Sequence, residues 1–234
     1  MSGRIALVTG GAGGIGTEIC RSLALAGYRL VSTCAPQECE QLDEWKKERE
    51  AENINIAMFK VDVTDHASCA NTVAEIEKQI GPIDILVNNA GITRDSTLKK
   101  MEVDQWDAVI NTNLDSVFYM TRPIINGMLA RKYGRIINIS SVNGQKGQFG
   151  QTNYAAAKAG MHGFTMSLAQ EVARKGITVN TISPGYVATK MVMKIDEAIR
   201  NQIIAQIPLG RLAEPTEIAR LVTFLVDENS GFIT

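Results

Sequence analysis

IALVTGGAGGIGTEI, residues 5–19, runs an apolar stretch into a glycine-rich turn and then into a helix read from Ile15 to Ala26. Glycines at 10, 11, 13, 14 and 16 let the backbone turn tightly. They also leave N–H groups free at the head of a helix, where the helix dipole attracts an anion. Strand, glycine turn and helix in that order make this run far more telling than the glycines alone.

The same rhythm continues along the chain. Ile5–Val8, Arg29–Cys34, Ile56–Val61, Ile83–Asn88, Arg135–Ser140 and Thr178–Ile182 read as short strands rich in Val and Ile. Between them Ile15–Ala26, Asp43–Glu52, Ala67–Ile80, Asp104–Arg131 and Asn153–Lys175 read as helices. Near-continuous apolar strands alternating with helices predict an α/β fold, a single-domain Rossmann-type doubly wound parallel sheet with helices on both faces. One domain is expected over 1–234, because no linker interrupts the pattern. Lys190–Gln206 breaks the rhythm where a substrate lid would fit, and Pro215 opens a further helix. A seventh strand would be expected after the turn at Asn229-Ser230-Gly231, and the sequence ends at Thr234 without it.

The 234 residues are 45% hydrophobic with a net charge of −1, so no electrostatic footprint marks a nucleic-acid or membrane partner. Met1-Ser2-Gly3-Arg4 leads straight into the first strand, and neither a leader nor a membrane span is expected. Cys20, Cys34, Cys39 and Cys69 form no CxxC, and no histidine stands at a ligand spacing from them. Reduced cysteines, a cytoplasmic setting and no metal are the expectation.

The glycine turn fits a dinucleotide pyrophosphate. An acidic residue ending the second strand would favour a free ribose 2′-hydroxyl. Here Thr33-Cys34-Ala35-Pro36 ends it, with no carboxylate before Glu38. A 2′-phosphate is therefore not repelled, which favours NADPH over NADH. Asp62-Val63, ending the third strand, can meet the adenine amino group, and Asn88-Asn89-Ala90-Gly91, ending the fourth, tolerates close backbone approach.

Tyr154 and Lys158 stand four apart in the helix after the fifth strand, so both side chains share one face. A phenol needs help to act as an acid or base near neutral pH, and a cation one turn away favours its ionised form. Ser140-Ser141 closes the fifth strand at the sheet edge where ligands bind, and its hydroxyls can reach a carbonyl beside the phenol. Asn113, inside the long fourth helix, is the remaining polar candidate.

Together TGGAGGIG (9–16), NNAG (88–91), Asn113, Ser141, YAAAK (154–158) and SPGYVAT (183–189) make the chain resemble the short-chain dehydrogenase/reductase family over almost its whole length. Within that family, GITRD (91–95) and SSVNGQKGQFGQTNY (140–154) are most similar to the acetoacetyl-CoA reductase branch, whose neighbours are the 3-oxoacyl-ACP reductases.

The resemblance implies roles. Tyr154 gives a proton to the developing alkoxide, while Lys158 holds the nicotinamide ribose and favours the phenolate. Ser141 binds the substrate carbonyl, with Ser140 structural, and Asn113 supports a water that replenishes the proton. Gly10, Gly13, Gly14, Ile15 and Gly16 make the pyrophosphate turn, with Asp62, Val63, Asn89, Ala90, Gly91 and Ile92 along the cofactor. Pro184, Gly185 and Val187 border the nicotinamide, and Thr189 lies near its amide. Asp95, Gln148, Phe149, Gly150, Gln151 and Tyr186 line the substrate, the phenyl ring limiting acyl length. The implied reaction reduces acetoacetyl-CoA to (R)-3-hydroxybutyryl-CoA for polyhydroxyalkanoate (polyhydroxybutyrate) synthesis. Arg131-Lys132 and Arg174-Lys175 suit either the phosphates of CoA or an acidic carrier protein. A homotetramer, a dimer of dimers, is implied through the two long helices, with Met120, Ile124, Met128, Phe164 and Leu168 as apolar residues on more than one side, which a buried helix pair or core packing would each explain. A catalytically idle dinucleotide-binding sensor or scaffold is the alternative of another class.

Overall fold

The computed structural model describes residues 3–234. Strands β1 (Ile5–Thr9), β2 (Arg29–Cys34), β3 (Ile56–Lys60), β4 (Ile83–Asn88), β5 (Gly134–Ile139) and β6 (Ile177–Ile182) pair in parallel in the order β3-β2-β1-β4-β5-β6. The chain doubles back between β1 and β4, which opens a crevice outside their carboxyl ends.

Alternation along β1 builds both cores. Ile5 and Leu7 face one side, with Val73 and Ile76 of α3 (His66–Gln79) and Met120, Ile124 and Met128 of α5 (Ser116–Arg131). Ala6 and Val8 face the other, with Ile19 and Leu23 of α1 (Gly14–Leu25) and Ala219 and Val222 of α10 (Pro215–Val226). Each large side chain buried this way stabilises the fold by about 2 kcal/mol before entropy is charged. The 21-residue α7 (Thr152–Val172) lies on the first side, while α2 (Asp43–Ala51) is tied to α1 by the Trp45 indole N–H on Thr17 Oγ1 at 2.9 Å. Short helices α8 (Lys190–Met193) and α9 (Glu197–Ala205) occupy the segment expected as a lid.

Strand bounds and most helix bounds fall within one residue of the sequence expectation. Three expectations are corrected. The helix expected over Asp104–Arg131 is broken into α4 (Val103–Ile110), a π-helical turn at Asn111–Asp115, and α5. The side chain of Asn113 takes the Val109 carbonyl at 2.9 Å, which widens the turn. The cysteines are not all reduced, because Cys34 and Cys39 form a disulfide with Cα atoms 5.4 Å apart. The N–H groups of Glu38 and Cys39 both bond Ala35 O, at 2.9 and 3.1 Å, and this turn carries Cys39 back over the end of β2. Cys20 and Cys69 are free, and burial pushes their thiols up to about 12. Finally, Met120, Ile124 and Met128 are fully buried against the sheet, so they face the core and not a partner.

Along β6, Asn180 Nδ2 donates to Ile233 O at 2.8 Å and Val179 N–H to Thr234 Oγ1 at 3.0 Å. Deeper in the sheet a polar ladder crosses three strands and fixes α7. Asn88 Nδ2 donates to Asn138 Oδ1 (2.9 Å), Asn138 Nδ2 to Thr165 Oγ1 (2.8 Å), and Thr181 Oγ1 bonds Thr165 Oγ1 (2.7 Å). Asn138 and Thr165 are buried, so the ladder must stay complete to be worth keeping. Asn138→Ala orphans polar groups on β4 and α7 and is expected to cost about 2–3 kcal/mol by chemical denaturation. A loss below about 0.5 kcal/mol would show that the ladder does not hold α7.

Candidate active site

Thr9 ties the two sides of the crevice. Its hydroxyl accepts the N–H groups of Asn89 and Ala90, both at 3.0 Å, while Asn89 Nδ2 donates to the carbonyls of Thr9 (3.0 Å) and Gly10 (3.1 Å). The Asn89 side chain is thus engaged in shaping the turn. Gly10 has φ +63°, and a Cβ there would lie 3.2 Å from the Ala90 Cα, so only glycine suits the position.

Gly13 is the N-cap of α1, and no side chain caps it. Gly14, Ile15 and Gly16 form the first turn, which contains no acidic residue, so their N–H groups and the positive helix end face the crevice unneutralised. This cradle fits a pyrophosphate. Two residues beyond the end of β3, Asp62 Oδ1 accepts from Thr64 N–H (2.9 Å) and Thr64 Oγ1 (2.7 Å), with Val63 beside it. Thr189, in the segment after β6, bonds Val192 N–H at 3.4 Å through its hydroxyl; Pro184 O accepts from Val142 N–H at 2.9 Å; and Val187 is buried.

Lys158 is 3% exposed, and its Nζ donates to Ile139 O at 2.7 Å. Burial lowers the ammonium from 10.5 to about 8. The same Nζ lies 5.6 Å from the Tyr154 ring centroid. Burial raises the Tyr154 phenol above its ordinary 10.0, Ser141 lowers it by hydrogen bonding, and the Asp95 carboxylate raises it. Lys158 is expected to favour the phenolate; burial and Asp95 act in the opposite direction here, and Ser141 offsets part of their effect.

Asn113 is 0% exposed. Its Nδ2 donates to Ile92 O and Val109 O, both at 2.9 Å, and its Oδ1 is buried without a partner. That oxygen and Lys158 Nζ converge on Gly91, where a Cβ would stand 2.5 Å from the one and 3.5 Å from the other. An unpartnered acceptor beside a buried ammonium is a place for a hydrogen-bond donor, such as a water. Ser141 is buried and accepts the Asn143 N–H at 3.1 Å, whereas Ser140 gives its hydroxyl to Lys158 O at 2.7 Å.

On the substrate side, Gly150 O accepts Ser96 N–H (2.9 Å) and Gln148 O accepts Gln151 N–H (3.1 Å). Phe149 is 88% exposed at the rim, with Gln148 also exposed. Tyr186 and Gly185 border the opposite side, where Tyr186 O accepts Ala213 N–H at 2.9 Å. Gln151 is bonded to Asp95 and to Asn143. The structure adds two residues that the sequence did not single out. Asn153, fully buried, donates to Arg94 O (3.0 Å) and Gln105 O (3.2 Å) and accepts Tyr154 N–H (2.8 Å), which fixes the start of α7. Asn143 links the Ser141 turn to the loop before α7. Among the described residues no cluster suited to a metal occurs, and no helix is long and apolar enough to cross a membrane.

A family model described as short chain dehydrogenase matches residues 4–200. The chain is 60% identical over 231 residues to the acetoacetyl-CoA reductase of Allochromatium vinosum, covering 99% of this chain and 94% of that protein. It is 52% identical to the acetoacetyl-CoA reductase of Cupriavidus necator, covering 100% and 95%. To the 3-oxoacyl-[acyl-carrier-protein] reductase of Pseudomonas aeruginosa it is 43% identical, covering 100% and 94%.

The buried ammonium has a consequence for stability. Its folded pKa of about 8 lies below its unfolded 10.5, so between those values the unfolded chain binds more protons and stability rises with pH. Lys158→Met is therefore expected to be more stable than wild type at pH 7, with an advantage that shrinks by up to about 3 kcal/mol toward pH 10.5. Paired denaturation curves across that range check this, and a pH-independent difference would contradict it.

Proposed function

The chain belongs to the short-chain dehydrogenase family, and from that premise we propose that it reduces acetoacetyl-CoA to (R)-3-hydroxybutyryl-CoA with NADPH, supplying polyhydroxyalkanoate synthesis. It is an oxidoreductase enzyme by membership and by its full-length similarity to reductases. The observation that carries the proposal is a protonated phenol, a buried ammonium, a serine hydroxyl and an unpartnered asparagine oxygen gathered beside an uncapped glycine-rich helix start. An idle dinucleotide-binding protein has no need of all four.

The free N–H groups of Gly14, Ile15 and Gly16, with Gly10 and Gly13 at the turn, would hold the pyrophosphate. Asp62 and Val63 would meet the adenine, and Ala90, Gly91 and Ile92 would line the crevice floor above Asn89. Pro184, Gly185, Val187 and Thr189 would border the nicotinamide. When bound, that group supplies a hydride to the carbonyl carbon. Tyr154 gives its phenolic proton to the carbonyl oxygen as charge grows there, and Ser141 donates a second hydrogen bond. A phenol held protonated by burial and by Asp95 is suited to reduction, where the acid must arrive with its proton. Lys158 holds the ribose hydroxyls and restrains the charge left on Tyr154, and Asn113 Oδ1 anchors the water that returns the proton.

NADPH is favoured by the absence of a carboxylate between Thr33 and Gln37. CoA is favoured over a carrier protein because Arg131 is committed inward, to Ile83 O (2.6 Å) and Asp84 (3.3 Å). A homotetramer fits the apolar groups left on outer helix faces, Phe118 of α5, Met166 of α7 and Phe224 of α10. A cytoplasmic setting follows from a soluble CoA thioester as substrate.

Initial rates at 340 nm with acetoacetyl-CoA test the proposal. NADPH is expected to outrun NADH, rates to fall steeply beyond a four-carbon acyl group, and Tyr154→Phe to lose about a hundredfold or more in kcat. Equal or faster turnover of long 3-oxoacyl carrier-protein thioesters would move the chain to fatty-acid synthesis, and no turnover of any 3-oxo thioester would sink the reductase.

A further inference from the structure

Where β1 leaves the sheet, a side chain takes over from the strand ladder. Gly10 N–H still reaches a strand carbonyl, Thr33 O at 3.1 Å, and the left-handed φ of Gly10 then turns the chain outward. Gly11 is buried, and its N–H donates to Ser32 Oγ at 3.1 Å. That hydroxyl gives its one hydrogen to Val8 O at 3.1 Å, so its oxygen is free to accept from Gly11. Ser32 is 0% exposed and stands two residues along β2 from Leu30, on the side that packs against α1. A hydroxyl in that core is tolerated because both of its bonds are made. The fit is close, since a Cβ at Gly11 would collide with Ser32 Oγ and stand 2.8 Å from Cys20 Sγ.

From Gly11 the restraint passes directly to the helix start. A Cβ at Gly16 would lie 2.8 Å from Gly11 Cα, so the first turn of α1 is seated on Gly11 itself. Gly13 N–H closes the turn on Gly10 O at 3.1 Å. The glycine turn therefore rests on β2 twice, at Gly10 through Thr33 O and at Gly11 through the Ser32 side chain. Without the hydroxyl, the buried Gly11 N–H loses its partner among the described residues, and the turn must move to find water. Binding would then have to restore the turn, and affinity falls by that cost.

We propose that Ser32 is a positioning residue for the dinucleotide site: its hydroxyl sets Gly11, and through it the N–H groups that open α1, for a pyrophosphate. It takes no part in the chemical step or in reading the ribose 2′ position. The proposal rests on the reading above that the glycine turn holds a nicotinamide dinucleotide.

Ser32→Ala removes both hydrogen bonds and little volume. Dissociation constants for NADPH and NADH, from nucleotide fluorescence, are expected to rise by the same factor, about tenfold. With acetoacetyl-CoA and saturating NADPH, kcat is expected to stay within about twofold of wild type. A serine that only stabilises the fold would lower the melting temperature and leave both constants alone, which would overturn the proposal. So would a loss confined to NADPH, which puts the effect at the ribose, or a fall in kcat with affinity kept. Amide hydrogen exchange of cofactor-free wild type decides the matter if the variant does not fold. Gly11 N–H is expected to be protected like Gly10 N–H, and exchange at the rate of an exposed loop would overturn the proposal. Equal binding by wild type and variant overturns this proposal alone, whereas a wild type that binds neither dinucleotide overturns the dinucleotide reading together with it.

Discussion

One ammonium group, Lys158 Nζ, sits almost wholly out of water on a single strong hydrogen bond, and much of the site is arranged to keep it there. A buried cation without a carboxylate is costly. Its partner among the described residues, Ile139 O, lies where β5 ends, so the sheet must deliver that carbonyl to the right place. The polar ladder through Asn88, Asn138 and Thr165 does so by locking α7 to the strand that carries it. Ser140 adds a second tie, from the residue after the strand to Lys158 O. Stability is given up at the point where the proposed chemistry needs a charge, and the surrounding framework offsets that loss.

The same buried region sets the state of the acid. Tyr154 stands near the ammonium, but desolvation and Asp95 prevail over the help from Ser141, and the phenol keeps its proton. Lys158, Asn113 and Gly91 then form a small polar chamber behind the phenol, with one oxygen left open. The residues proposed as donor, proton path and cofactor cradle therefore lie together at the crevice where the strand order reverses.

Much of this was legible in the sequence, for local reasons. Strand ends show as Val- and Ile-rich runs stopped by polar or small residues, and helix faces show through residues four apart, as with Tyr154 and Lys158. The glycine turn declares itself because backbone conformation limits which residue is tolerated. What stayed hidden depends on partners distant in sequence. At the π turn the Asn113 amide also reaches Ile92 O, 21 positions away. Asn153 and Asn143 look like ordinary polar residues until Arg94 O and Gln151 are beside them. The Cys34–Cys39 pairing needed the fold-back of the turn at Ala35. Apolar residues of α5 gave no sign of which partner they face, because a core face and an interface face have the same composition.

The most direct measurement follows the hydride itself. A dinucleotide carrying deuterium at both C4 positions of the reduced nicotinamide is incubated with the enzyme and acetoacetyl-CoA, and the product is examined by mass spectrometry and NMR. The account predicts one deuterium bound to C3 of the 3-hydroxybutyryl group, in the product of one hand. Deuterium absent from C3, or a cofactor that binds and remains unoxidised, would contradict it.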